Sequence, residues 1–161
     1  MPAPRRRNST HSTRRRQGNG KRRSPSSGEG GDRSALDVRG VQHVNLTIPP
    51  GSEDVARSFY TDILSLVEIE KPLPLRVNGG LWYRVGELEL HLSVEEGAPQ
   101  APSRRHVGFV VSDLEQARRF FETHGIATLP QADLPGWRRF YVHDPFGNRL
   151  EIQSPRRRAG H

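Results

Sequence analysis

Short stretches of alternating hydrophobic and polar residues predict strands along most of this chain. QHVNLTI (residues 42–48) alternates from its first residue to its last, and LWYRVGELELHLSV (81–94) is typical of two strands joined by a turn near Gly86. RHVGFVV (105–111) predicts another strand. WRRFYVHDPFGNRLEIQ (137–153) predicts a closing hairpin, and DPFGN has the composition of its turn.

Two segments instead carry hydrophobic residues at helical spacing, and each follows a predicted strand. The first contains Val55, Phe59, Ile63 and Leu64, with Ser52 placed to cap its beginning. The second lies within residues 112–125, where Ser112 and Glu115 are spaced as a capping box and Gly125 is placed to end the helix. Both halves therefore read as a strand, a helix and then two or three further strands.

The two halves also align residue by residue, which indicates an internal repeat. His43 falls on His106 at an offset of 63 residues, VARSFY falls on QARRFF at 61, and Glu89 falls on Glu151 at 62. The matched polar residues share a strand face, because side chains alternate with period two. The apolar faces then pack on the two helices, and the opposite faces line a shared polar cleft that holds His43, Glu89, His106 and Glu151.

Two carboxylates that face each other in a cleft repel, and burying an uncompensated charge costs several kcal/mol. A divalent cation removes this conflict. Two imidazoles with two carboxylates suit Zn, Ni, Co, Mn or Fe, and no thiolate narrows the choice because the chain has no cysteine. The pattern thus predicts a metal centre with open positions for water or substrate.

Charge and composition differ sharply between the N-terminus and the rest. Residues 1–36 hold ten Lys and Arg against two acids, whereas residues 37–161 hold fifteen against sixteen. We expect 1–36 to be a disordered basic tail, with weak nonspecific nucleic-acid contact or late translation initiation as open alternatives. Residues 155–161 form a second basic tail. The lack of cysteine and of a membrane-spanning apolar run favours a cytoplasmic protein without membrane attachment.

Several motifs together resemble the vicinal oxygen chelate superfamily, the glyoxalase, bleomycin-resistance and extradiol-dioxygenase group. They are QHVNLTI, ARSFYTDILSL, RHVGFVVSDLEQA and FYVHDPFGNRLEI, which span about residues 41–153. The resemblance implies an α+β fold in which two tandem βαβββ modules form a curved mixed sheet around a central cleft. The domain would cover residues 37–154, with modules at about 40–95 and 103–154. Ser65 stands where this family usually has glycine, at a cost of about 1 kcal/mol if its φ is positive.

The resemblance also implies a function. The set His43, Glu89, His106 and Glu151 corresponds to the metal ligands of glyoxalase I and of related epimerases, in which Glu151 or Glu89 would move a proton beside a metal-bound carbonyl of a small molecule. The remaining candidates for substrate contact are Asn45, Trp82, Arg84, His91 and Tyr141. Core packing or an exposed turn position is the alternative role for each of them.

Other functions within the same superfamily remain open. A metal-free cleft could sequester a drug, as in bleomycin resistance, and His43, His106 and Glu151 would also satisfy an extradiol dioxygenase. A fourth ligand, the Glu89 carboxylate, would crowd catechol and dioxygen, which disfavours the dioxygenase. Asn45 stands where fosfomycin-modifying relatives carry threonine, which disfavours thiol transfer to fosfomycin. The cleft closes within one chain or by exchange between the two chains of a homodimer.

Overall fold

A computed structural model describes residues 37–97 and 103–156 of the chain. The predicted N-terminal tail, and residues 157–161 of the predicted C-terminal tail, lie outside these residues. Two mixed four-stranded sheets carry the fold, one in each module, which confirms the α+β class implied by the family resemblance. The elements in chain order are β1 (His43–Ile48), α1 (Glu53–Arg57), a π-helical segment (Ser58–Ile63) that continues α1, β2 (Val67–Ile69), a 3₁₀ helix (Leu73–Asn78), β3 (Leu81–Val85), β4 (Leu88–Val94), β5 (His106–Val110), α2 (Leu114–Thr123), β6 (Leu129–Pro130), β7 (Trp137–His143) and β8 (Arg149–Pro155).

Each module forms its own sheet with the same strand order. The first sheet has the order β1-β4-β3-β2 and the second has the order β5-β8-β7-β6. The first and last long strands of each module pair in parallel, and the remaining pairs are antiparallel. Consequently β1 and β5, which begin with His43 and His106, are edge strands in their respective sheets.

One hydrophobic core serves both modules. Tyr60, Tyr83 and Leu90 from the first half and Phe140 and Leu150 from the second are fully buried in the same cluster. These side chains come from the apolar faces of the strands, as the alternation predicts, and from the π-helical segment that follows α1. No helix within residues 37–97 and 103–156 is long and apolar enough to cross a membrane.

The helix ends agree only in part with the sequence prediction. Ser52 does precede α1, but its hydroxyl donates to the Pro49 carbonyl and caps no helical N–H group. The capping box predicted at Ser112 is wrong: Asp113 is the N-cap of α2, and its carboxylate accepts from the N–H groups of Glu115 and Gln116. An aspartate one residue later supplies a charged acceptor for N–H groups of the first turn. Gly125 follows the end of α2 with a φ of +72°, as predicted.

Two positive backbone angles fix the chain before β2 and β3. Ser65 has a φ of +55°, so a non-glycine residue adopts the left-handed conformation after the first helix. At Gly80 the constraint is steric, since a Cβ atom there would lie 2.1 Å from the Leu92 carbonyl oxygen. The N–H group of Gly80 also donates to the Glu53 carboxylate, 3.0 Å away. This anchored turn leads directly into β3, the strand that carries Trp82 and Arg84.

A buried carboxylate in the β7–β8 turn ties the two modules together. Asp144 is 5% exposed and accepts a hydrogen bond of 2.7 Å from the Tyr60 hydroxyl in the first module. The same carboxylate accepts from the N–H groups of Phe146 and Asn148 and from the Asn148 side chain. The Asn148 amide also donates to the Thr47 carbonyl of β1, 2.9 Å away. DPFGN is therefore a connection between modules as well as a turn.

We expect Tyr60→Phe to lower the free energy of unfolding by about 1–3 kcal/mol, because it removes the hydrogen bond that Asp144 accepts from the first module. Urea denaturation measures this change. Tyr83→Phe is the matched control, since the hydroxyl of that buried tyrosine makes a long contact of 3.5 Å with Thr61. Equal losses in the two variants would contradict a special role for the Tyr60–Asp144 bond.

Candidate functional site

The second module places a buried carboxylate among three hydrogen-bond donors. Glu151 lies in the middle of β8, and its side chain is 6% exposed. The His106 Nε2 atom is 3.0 Å from its Oε2 atom, and the Arg139 Nη1 atom is 3.3 Å from both of its oxygens. Tyr141 lies directly opposite Glu151 on β7. Glu151 thus sits between Leu150 and Ile152 because its own strand face holds polar partners.

These contacts set the ionisation of the cluster. Burial by itself would raise the pKa of Glu151, but hydrogen bonds from Tyr141 and Arg139, with the charges of Arg139 and His106, bring that pKa below its usual value. Burial and the neighbouring Glu151 carboxylate raise the pKa of Tyr141. At neutral pH the cluster therefore contains a carboxylate beside a protonated phenol.

The first module has a similar pair with different neighbours. The Glu89 carboxylate lies 3.0 Å from Arg84 and 3.0 Å from the Nε2 atom of His91, and hydrogen bonds from His91 and Gln42 lower the pKa of Glu89. The His91 ring stacks on Trp82 at a centroid distance of 3.8 Å and on His43 at 4.4 Å. Three rings on three adjacent strands thus form a continuous stack beside Glu89.

The two pairs differ because the strand registers differ. His43 lies opposite Glu89 in the β1–β4 ladder, whereas Gly108 lies opposite Glu151 in the β5–β8 ladder and His106 lies opposite Arg149. The second histidine is therefore two residues displaced relative to its glutamate. It reaches Glu151 diagonally, while His43 stacks on His91.

The predicted metal ligands accordingly occur as two local groups. Within residues 37–97 and 103–156, no three His, Asp or Glu side chains are placed to hold a metal ion. The donor types fit a divalent ion, but their placement in one chain does not, since each carboxylate already pairs with an arginine. The His106 ring also contacts the Arg104 carbonyl, at 2.8 Å from Nδ1. The four-ligand centre stays a prediction.

The predicted substrate residues divide between these groups. Trp82, Arg84 and His91 belong to the first, and Tyr141 belongs to the second. Asn45 lines a cavity that also contains His106. Of two further histidines, His143 is exposed at the end of β7, and the His124 ring is tilted against Phe120 just after α2.

Sequence analysis missed three residues that the structure brings to these groups or to the turn that supports them. Arg139 contacts Glu151, Arg149 lies over the Tyr141 ring, and Asp144 holds the turn between their strands. Arg139 had a detectable signal, because it is two residues from Tyr141 and so shares its strand face. No comparable signal marked the partner of Asp144, which is 84 residues away in sequence.

Arg139→Gln should lower the free energy of unfolding by about 3 kcal/mol, because it leaves a buried carboxylate without its cation. Arg138→Gln is a control on the same strand, where the exposed pair with Glu115 should contribute less than about 1 kcal/mol. The double variant Arg139→Gln/Glu151→Gln should recover much of the loss in urea denaturation. Equal effects of the two single variants, or no recovery, would contradict the ion pair inferred for Glu151.

Comparisons with known proteins support a single family. The model of the Glyoxalase/Bleomycin resistance protein/Dioxygenase superfamily matches residues 40–152. A glyoxalase family protein from Bacillus anthracis is 35% identical, with a TM-score of 0.67, over 74% of this chain and 97% of that protein. No curated protein sequence matches the chain closely enough to add a relative.

More distant solved structures share the fold. Lactoylglutathione lyase from Agrobacterium tumefaciens is 20% identical, with a TM-score of 0.56, over 71% of this chain and 92% of that protein. The fosfomycin resistance protein FosX from Listeria monocytogenes is 15% identical, with a TM-score of 0.59, over 73% of this chain and 93% of that protein. Because the family model matches from residue 40, three residues before β1, into β8, the chain belongs to the Glyoxalase/Bleomycin resistance protein/Dioxygenase superfamily.

Proposed function

We propose that this protein is an enzyme that transfers a proton at a carbon next to a carbonyl group of a small molecule. One observation carries the proposal: the Glu151 carboxylate is buried but ionised, and it lies between an imidazole and a guanidinium with a phenol opposite. A carboxylate that accepts a proton and donors that stabilise an oxyanion are the two requirements of this reaction. The family membership is consistent with it, although the fold alone does not fix the chemistry.

The proposed reaction uses groups that already contact each other. Glu151 removes the proton from the carbon, the C–H electron pair forms a carbon–carbon double bond, and the carbonyl oxygen becomes an oxyanion. Arg139 or Tyr141 donates a hydrogen bond to that oxygen, and Glu151 returns the proton to the neighbouring carbon or to the opposite face of the same carbon. Its low pKa makes free Glu151 a weak base. A substrate oxygen that draws Arg139 away would strengthen it at the moment of transfer.

The first-module group enters the proposal through a second copy of the chain. Within one chain, Glu89 pairs with Arg84 and His43 stacks on His91. Glu151 and His106, by contrast, contact each other. Both histidines begin edge strands, which can lie beside another chain. We therefore propose a homodimer in which the first-module group of one chain faces the second-module group of the other. The predicted divalent ion, Zn, Ni, Co, Mn or Fe, would bind between them.

A metal-free binding protein is the second candidate, and a specific observation favours it. Each glutamate of the predicted centre has an arginine within 3.3 Å, so neither carboxylate needs an ion to be tolerated in the fold. Such a cleft could bind a small molecule without converting it. Turnover distinguishes this candidate from the enzyme.

The proton-transfer proposal predicts exchange of substrate hydrogen with solvent. We expect the full chain, assayed without added metal and with each of the five metals in turn, to incorporate deuterium from D₂O beside the carbonyl of a 2-oxoaldehyde thiol adduct or an acyl-CoA. Glu151→Gln should reduce the exchange rate at least about a hundredfold, measured by proton NMR. Glu87→Gln, in the exposed β3–β4 turn, is the charge-matched control. If neither substrate class exchanges in any preparation while the adducts still bind, the binding-protein function is correct instead.

The shared-site proposal predicts complementation between two inactive chains. One chain carries His43→Ala and Glu89→Gln, and the other carries His106→Ala and Glu151→Gln. Subunit exchange of an equal mixture should restore about a quarter of the wild-type metal content and exchange rate, because half of the dimers are mixed and each contains one intact site. Elemental analysis and the NMR assay measure this recovery. No recovery in a mixture whose subunits are shown to exchange would rule out a site shared between chains.

A further inference from the structure

A cavity of about 800 Å³ lies beside the second-module group, between β1, β5 and the β7–β8 turn. His106 and Asn45 face it from the two edge strands, and Arg105, Arg149 and Ser103 add cationic and hydroxyl groups. Glu95 is the carboxylate in this lining within the part of the chain that the structure describes. Cationic groups therefore outnumber acidic ones around the cavity.

The two arginines of the cavity differ from the other arginines of the site. Arg84 pairs with Glu89 and Arg139 pairs with Glu151. By contrast, no ion pair joins Arg105 or Arg149 to a carboxylate within residues 37–97 and 103–156. These two guanidinium groups keep donors for a ligand.

Packing against aromatic rings holds one of these arginines in position. The Arg149 guanidinium lies 3.7 Å from the centroid of the Tyr141 ring, and the His106 ring meets the same tyrosine edge-on at 5.3 Å. A guanidinium stacked in this way loses little further freedom when it binds a planar carboxylate or a phosphate. It also stands next to the residues that contact Glu151.

We infer that this cavity binds an anionic group, a carboxylate or a phosphate, of the molecule on which the protein acts. Arg149 and Arg105 donate charge-assisted hydrogen bonds to the anion, and the Asn45 amide adds a neutral donor. The anion would fix the substrate by its charged end and direct the rest of it towards Glu151. Only this last point rests on the proposed function, because binding can be measured without turnover.

The test titrates the full-length protein with succinate, methyl phosphate and the neutral analogue succinamide, following backbone amide signals of Asn45, His106 and Gly147 by NMR. We expect both anions, or one of them, to bind at least about tenfold more tightly than succinamide. The comparison of succinate with methyl phosphate identifies which anionic group is preferred. Increasing the salt concentration should weaken binding of the anion and leave that of the amide unchanged.

Three variants test this inference: one should weaken anion binding, one should strengthen it, and one should leave it unchanged. Arg149→Gln should weaken anion binding about tenfold, and Glu95→Gln should strengthen it, because it removes the carboxylate of the cavity. Arg119→Gln, an exposed α2 position outside the cavity lining, removes the same charge and should change nothing. Equal binding of succinamide, or an Arg149→Gln protein that binds as tightly as Arg119→Gln, would overturn the inference. Neither result would bear on deuterium exchange, which tests the proposed function separately.

Discussion

The arrangement of both modules depends on the hydrogen bonds that the Asp144 carboxylate accepts. It is buried, and its donors come from its own turn and from Tyr60 in the first helical segment. A buried charge is tolerated only when several hydrogen bonds replace water, so these donors must be present together. The turn also bonds to β1 through Asn148. The same interaction thus fixes the β7–β8 hairpin, which carries Arg139, Tyr141 and Glu151, against the first module.

Charge compensation then determines what the two halves can do. A repeat that brought two bare glutamates together would need a cation to be stable. In this chain Arg84 pairs with Glu89 and Arg139 pairs with Glu151, so the charge of each glutamate is compensated within its own module. Stability and function are thereby separated. Each glutamate has an arginine partner without an ion, and an ion that binds to either carboxylate must displace an existing partner.

The sequence predicts the strands, the repeat and the identity of the polar face, because these follow from periodicity. The β-strand period of two assigns His43, Glu89, His106 and Glu151 to one face regardless of register. Register itself is not predicted, since a slip of two residues keeps every side chain on the same face. That slip decides whether a histidine meets its glutamate, as His106 does, or a neighbouring ring, as His43 does.

Long-range pairing accounts for the other failures. DPFGN was recognised as a turn from its composition, but its partner Tyr60 lies in the other module and could not be inferred from spacing. Arg139 and Arg149 were missed for a related reason, because a surface arginine and a site arginine look alike until the opposite strand is known. The α2 cap shows the local version of this problem, since Ser112 and Asp113 are adjacent and both suit the role.

The two modules differ in the residue that lies opposite each glutamate. Opposite Glu89 the chain has Arg84, so an ion pair forms directly across the strands and the rest of that face is filled by stacked rings. Opposite Glu151 it has Tyr141, and the compensating Arg139 reaches in from two residues away. The Arg149 guanidinium packs on the Tyr141 ring, and it has no carboxylate partner in the described part of the chain. Stacked rings therefore cover the polar face of the first module, whereas the second module has the Arg149 guanidinium next to a cavity. A polar substrate would be recognised on that second side.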